Sequence, residues 1–266
     1  MNTSERFAVI LPAAGRSTRF GDPQRKKIFA ELDGRAVWLR ALDPFLNRED
    51  VTRIVVAIHA DDRELFERRF GPNVAFHGIK VIVGGAERSD SIAAALAEIG
   101  EECGYVAIHD GARPCLTTEL VDAVFAAAKQ HGAALPAVPL ADTIKRVGPD
   151  RKTIETVPRA GLYGAQTPQV FRRDLILRAY QERAKLGEAA GVTDDATLVE
   201  SLGHPCHVVE GSPMNLKITT EADLRLALTI LQSLHKPEIH PPAHPFGDDH
   251  RDWGDLPKRS AEELFG

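Results

Sequence analysis

The chain predicts an α/β fold: a mostly parallel sheet with helices on both faces. Three observations carry this. Short β-branched runs recur, most are separated by stretches of helical periodicity, and several of those stretches carry readable caps. The runs are "FAVIL" (7–11), "RIVVAI" (53–58), "KVIVGG" (80–85), "YVAIH" (105–109), "AALPAV" (133–138) and "CHVVEG" (206–211).

The helices follow from periodicity and punctuation. In "RSDSIAAALAEIG" Ile92, Ala95, Leu96 and Ile99 form one apolar face, directly after a polar cluster from Glu87 to Ser91. Thr117 or Thr118 can cap "ELVDAVFAAAKQH" ahead of Gly132, and Thr219 or Thr220 can cap "EADLRLALTILQSL". Thr193, Asp194 and Asp195 can cap a helix that ends before Gly203. Residues 139–165 alternate polar and apolar around Gly148-Pro149-Asp150, which predicts an inserted hairpin, an arm of the kind that reaches a partner subunit.

The expected domain is 1–234. From about His235, Pro237, Pro241, Pro242 and Pro245 forbid regular structure, so 235–266 reads as an appended tail with a short helix near Ser260. His235, His240, His244 and His250 lie in it at proline-broken spacing, which favours a solvated linker over a metal site.

With 266 residues and 43% hydrophobic content, the chain can bury a substantial core. A net charge of -5 argues against a nucleic-acid or membrane surface and leaves any basic cluster local, suited to a small anionic ligand. Cys103, Cys115 and Cys206 are too few and scattered for a disulfide framework. The amino terminus lacks a secretory core or membrane span, so the expected location is cytoplasmic.

The chemistry concentrates at strand ends. In "LPAAGRSTRFGDPQRKKIF" (11–29), Ala13, Ala14 and Gly15 let backbone amides approach a ligand, and Arg19, Lys26 and Lys27 are long enough to converge on a triphosphate. A tight strand-to-helix turn and a solvated basic loop explain the same residues. The spacing fits neither a dinucleotide-binding GxGxxG nor a P-loop.

"HDGARP" places Asp110 at the carboxyl edge of the sheet, where it can hold magnesium or a substrate hydroxyl. Arg113 can pair with a phosphate or with Asp110 itself, and His109 reads as a packed histidine rather than a base. Lys217 falls in an alternating run, 215–219, read as a short strand. Its ammonium there would meet an anion or guard a sheet edge. No GxSxG or HExxH occurs, so the cations point to a substrate phosphate as the nucleophile.

In order and spacing these segments resemble the 2-C-methyl-D-erythritol 4-phosphate cytidylyltransferase family. The match runs from about residue 7 to 234 through "LPAAGRSTRFG", "VGGAERSDSI", "HDGARP", "ADTIKRV", "TVPRAGLYGAQTPQVF", "VTDDATLVE" and "VEGSPMNLKITTEADL". The resemblance implies a Rossmann-like nucleotidyltransferase sheet, a homodimer exchanging the arm at 139–165, and magnesium-dependent transfer of CMP from CTP.

It further implies that Arg19 and Lys27 stabilise the charged transition state, while Lys217 and Arg159 position the methylerythritol phosphate, Arg159 coming from the partner's arm. Ala13, Ala14, Gly15, Gly85 and Ser91 match positions around the cytidine. Asp110, Arg113, Thr167 and Thr193 match the substrate side, with Asp110 a secondary contact to an ion held mainly by CTP phosphates. Against the family pattern, Ser17 replaces a glycine, Lys26 a proline and Ile28 a glutamine, and Ala86 stands where many relatives carry aspartate. These changes bear on rate and substrate choice rather than on fold. The rival expectations are the same chemistry on another polyol phosphate, such as ribitol 5-phosphate, and a degraded paralogue that binds CTP without turnover.

Overall fold

The computed structural model describes residues 5–15, 27–186 and 194–234, with only the backbone of 27 and 184–186. Met1–Leu231 forms one compact unit, and Gln232–Gly266 groups separately, described only as far as residue 234. The short helix expected near Ser260 lies outside the described residues.

The central sheet runs β10 (Tyr163–Ala165), β7 (Ala133–Pro139), β11 (Gln169–Arg172), β6 (Tyr105–Ile108), β1 (Phe7–Ala13), β4 (Val51–Ile58) and β5 (Lys80–Val83), with β12 (His207–Glu210) along the other edge of β7. β6, β1, β4 and β5 are mutually parallel, and β12 is parallel to β7. β11 enters antiparallel between β6 and β7. The sheet is therefore mostly parallel, as the alternating runs predict.

β1 shows why. Phe7, Val9 and Leu11 pack into one hydrophobic cluster, Ala8 and Ile10 into another on the opposite face, and all five are fully buried. A strand covered on both sides needs apolar residues at every position, which is how "FAVIL" reads. On the first face Trp38 of α1 (Val37–Leu42) and Phe66 and Phe70 of α2 (Arg63–Phe76) make one aromatic group, with the Trp38 and Phe66 rings 4.9 Å apart. The second face takes Ile92, Ala95 and Leu96 of α3 (Arg88–Leu96), the apolar stripe predicted there.

A third cluster joins Ile218 to Ala227 and Leu231 of α7 (Glu221–Leu234) against Leu32 and Val37. Its place matters to the site, because Ile218 is the neighbour of Lys217. The stretch 215–219 is an extended loop, not the short strand expected. Ile218 gives its N–H to the carbonyl of Ala112 at 2.8 Å and buries its side chain completely, so the segment is pinned without joining a ladder.

The inserted hairpin is narrower than predicted. β8 (Ile144–Val147) and β9 (Thr153–Val157) pair antiparallel about the Gly148–Lys152 turn and stand apart from the central sheet. The last part of 139–165 instead forms β10 and pairs with β7. Gln166 still gives its N–H to the Pro136 carbonyl of β7 at 2.8 Å, and the chain leaves the ladder at Thr167 and Pro168 before it resumes along β7 as β11.

Both open capping questions resolve. Thr117 caps α4 (Thr118–His131), its hydroxyl accepting the N–H of Leu120 at 3.3 Å, and Gly132 closes the helix at φ 82°. At α7 it is Thr220, which accepts the N–H of Asp223 while the Asp223 carboxylate accepts the N–H of Thr220. Asp194 caps α6 (Asp195–Glu200). Replacing Thr117 with alanine is expected to lower stability by about 1 kcal/mol, whereas Thr118→Ala changes it little. Equal losses in chemical denaturation would contradict this cap.

Candidate active site at the carboxyl edge of the sheet

The carboxyl ends of β5, β4, β1 and β6 open into one cleft of about 490 Å³, large enough for a small-molecule ligand. Its lining follows strand order. Gly85 and Ala86 follow β5, His59 follows β4, Ala13 to Gly15 close β1, and Asp110 to Ala112 follow β6. Lys217 and the first turn of α3 complete the wall, and Ile28 contributes an apolar surface. Against the glutamine that the resemblance leads one to expect there, Ile28 thus puts a buried hydrocarbon at the cleft wall.

At the β5 side small residues are required. A Cβ on Gly84 would stand 2.5 Å from the Ser91 hydroxyl and 2.9 Å from Cβ of Ala14, and one on Gly85 would stand 2.3 Å from Cβ of Asp90. Ser91 is buried, and its hydroxyl accepts the Gly85 N–H and donates to the Glu87 carbonyl. It thus holds the turn. Glu87 and Asp90 form a reciprocal capping box, which aims the amino terminus of α3 at the cleft.

At the β6 side the site is charged. The Asp110 side chain is largely buried and meets Lys217 Nζ at 2.6 Å, Arg88 Nη2 at 3.5 Å and Arg113 Nε at 3.9 Å. Burial alone would push its carboxyl up, but Arg88, Lys217 and Arg113 together hold it well below the usual carboxylate range. Arg113 is anchored as well by donating to the Asn215 carbonyl at 2.7 Å. Arg113 thus faces Asp110, one of its two expected partners, and adds a backbone tie.

Arg88 also meets Asp195 at 2.9 Å. Asp195 is 1% exposed and accepts the Tyr180 hydroxyl at 2.6 Å. Burial pushes the Asp195 carboxyl up; Arg88 opposes this, and nearby Asp110 adds to it.

Thr167 is buried behind Asp110. Its hydroxyl accepts the Asp110 N–H at 3.0 Å and lies 3.0 Å from Nδ1 of His109. The other ring nitrogen of His109 faces the Arg113 carbonyl at 3.1 Å. A carbonyl only accepts, so Nε2 carries the proton, and Thr167 donates to Nδ1. Burial drives His109 down to about 4, which keeps the ring neutral and this pattern intact. Asn215 completes the support, donating to the Thr167 carbonyl and to Gln166 Oε1, while Gln166 donates to the Ser212 carbonyl.

The structure brings Ala13, Ala14, Gly15, Gly85, Ser91, Asp110 and Lys217 into the wall of one cleft, with Arg113 and Thr167 in contact with Asp110. Arg159 is exposed, on the stretch between β9 and β10. Arg19 and Thr193 lie outside the described residues, as does the side chain of Lys27. Sequence reasoning missed Arg88, Asp195, Gln166 and Asn215. Arg88 sits inside a segment already marked as a polar helix start, but nothing in that spacing names its partners.

Among the described residues no group of three His, Cys, Asp or Glu side chains could hold a metal ion. Asp110 and Glu87 are the carboxylates of the cleft wall, and Glu87 is committed to its capping box. That donor set fits a cation carried in by a polyphosphate and completed by Asp110, not a cage built by protein alone. No described helix is long and apolar enough to cross a membrane.

Comparison with known proteins agrees. The model of the family described as IspD, 2-C-methyl-D-erythritol 4-phosphate cytidylyltransferase, matches residues 7–233. A protein of that name from Rhodopirellula baltica is 41% identical over 243 residues, covering 87% of this chain and 97% of the relative. Another from Frankia casuarinae is 43% identical over 229 residues, covering 86% and 82%. The solved structure of 2-C-methyl-D-erythritol 4-phosphate cytidylyltransferase from Thermus thermophilus superimposes with a TM-score of 0.69 at 32% identity, covering 84% of this chain and 98% of that one.

A neutral buried His109 ties stability to pH. Its value is near 4 in the fold against 6.5 for an ordinary histidine, so between these only the unfolded chain binds the proton. Stability from this residue is complete above about pH 6.5 and declines as pH falls towards 4. The difference in unfolding free energy between wild type and His109→Gln should therefore shrink over that window, by on the order of 3 kcal/mol, and level off below it. A difference constant with pH would show that the ring is not held neutral.

Proposed function

The chain belongs to the 2-C-methyl-D-erythritol 4-phosphate cytidylyltransferase family, and on that premise we propose that it transfers CMP from CTP to 2-C-methyl-D-erythritol 4-phosphate. The observation that carries the reading is the two-sided cleft. Small residues at Ala13 to Gly15 and at Gly85 suit a nucleotide lying close to backbone, and the Lys217 and Asp110 pair beside them suits a phosphorylated polyol.

In the reaction a phosphate oxygen of the acceptor attacks the α-phosphorus of CTP. The new P–O bond forms as the bond between the α-phosphorus and the bridging oxygen breaks, and pyrophosphate leaves with that electron pair. The protein's part is positioning and charge stabilisation. Arg19 and Lys27 are assigned to the negative charge that develops around the α-phosphorus. Lys217 and Asp110 take the acceptor, Lys217 on its phosphate and Asp110 on a hydroxyl. Asp110 is the cleft carboxylate that would reach a magnesium ion carried in on the triphosphate, and such an ion would neutralise charge on the phosphate oxygens.

We assign the β8–β9 hairpin to a homodimer contact. Val147 and Ile154 on it, with Leu162 and Tyr163 after it, are exposed large apolar groups within one short stretch of chain. Arg159 lies within the same stretch, and docking on a second copy would bring it to the partner's cleft. A cytoplasmic location suits the soluble phosphate substrates and the free cysteines.

Purified protein with CTP, magnesium and 2-C-methyl-D-erythritol 4-phosphate is expected to release pyrophosphate, and chelation should stop it. Ribitol 5-phosphate and a no-acceptor control should stay silent. Release with ribitol 5-phosphate alone would move the substrate, and silence throughout with CTP still bound would indicate a degraded site. Lys27→Ala should cost about a hundredfold or more in kcat with folding intact. Near-normal turnover would remove Lys27 from the mechanism.

A further inference from the structure

We propose that Arg88 is a positioning residue for the acceptor, clamped by Asp195 and Tyr180 so that it sets the orientation of Asp110. The proposal rests on the transfer reaction above and adds to it three residues, Arg88, Asp195 and Tyr180, to which neither the motifs nor the resemblance gave a part in the chemistry.

A single atom, Nη2 of Arg88, stands between two carboxylates, 2.9 Å from Asp195 and 3.5 Å from Asp110. Without a cation there, two buried acids would face each other and repel. The shorter contact is to Asp195, so the guanidinium belongs first to its clamp and reaches Asp110 from a fixed point. Asp195 is itself immobilised: it is buried in the first turn of α6, and its second oxygen takes the Tyr180 hydroxyl from α5 (Arg173–Leu186).

The other end of Arg88 is equally fixed, because the residue opens α3 immediately after the capping box at Glu87. Asp110 is thus held on both oxygens, Oδ1 towards Arg88 and Oδ2 towards Lys217. Lys217 is the group expected to turn to the acceptor phosphate. When it does, Arg88 keeps Asp110 charged and aimed.

Arginine is the residue this bridge needs, since a planar guanidinium offers several donors at once while an ammonium on a flexible stem satisfies one carboxylate at a time. The effect should fall on the acceptor and spare the nucleotide, whose small-residue subsite lies at the β5 end of the cleft.

The test compares Arg88→Ala, Arg88→Lys and Tyr180→Phe with wild type, reading KM for each substrate in turnover and acceptor affinity by calorimetry. Arg88→Ala should raise the acceptor KM and weaken acceptor binding by about tenfold or more, and Tyr180→Phe by about threefold, with KM for CTP within about twofold of wild type. Tyr180→Phe loses only a hydroxyl, so it guards against misfolding of the harsher variant. Arg88→Lys should stay within about threefold of Arg88→Ala.

Unchanged acceptor binding in Arg88→Ala, equal losses for both substrates, or full rescue by lysine would overturn the proposal. Wild type that binds the acceptor but releases no pyrophosphate would sink the transfer reading alone, while a binding defect in Arg88→Ala would still uphold Arg88. Wild type that does not bind the acceptor would overturn both.

Discussion

A carboxylate taken out of water must be repaid by cations and donors, and at Asp110 this requirement organises the site. Its three cationic partners come from separate parts of the chain: Arg88 opens α3, Arg113 follows in the same loop, and Lys217 precedes α7. Each is held by something other than the charge itself. The capping box fixes Arg88, the Asn215 carbonyl fixes Arg113, and the burial of Ile218 fixes Lys217. Removing any one cation would leave a buried charge undercompensated, which costs more than the pair contributes.

The same arrangement suits one cleft to the two substrates proposed for it. Along the sheet edge the lining changes from glycine and alanine at β5 and β1 to ionised groups at β6. Close packing of Gly84 and Gly85 against Ala14, Ser91 and Asp90 leaves no room for larger side chains in the first region. The second is rigid because a polar layer of His109, Thr167, Gln166 and Asn215 lies behind it with nearly every donor used. Phosphoryl transfer asks mainly for alignment and fixed charge, so rigidity in that layer serves the reaction directly.

Much of this was legible beforehand. All six predicted runs are strands, the α3 stripe is buried, and Asp110 lies at the sheet edge where ligands bind. What was misread has identifiable causes. β10 and β11 are three and four residues long and separated by a polar break, so no period-2 signal survives in them. Residues 215–219 alternate like a strand, yet the alternation records one buried isoleucine and one cation facing the cleft.

The sequence by itself determined what depends on near neighbours: the strand runs, the helix stripes, the choice of residue types at the caps, and a family resemblance carried by short ordered motifs. Tertiary structure alone decided which charges meet and which backbone carbonyls anchor them. The physical reason is range. Periodicity and capping act over a few residues, whereas Arg88 finds Asp195, and Arg113 finds Asn215, only after the sheet has brought their loops to one edge and burial has removed the water that would otherwise satisfy them.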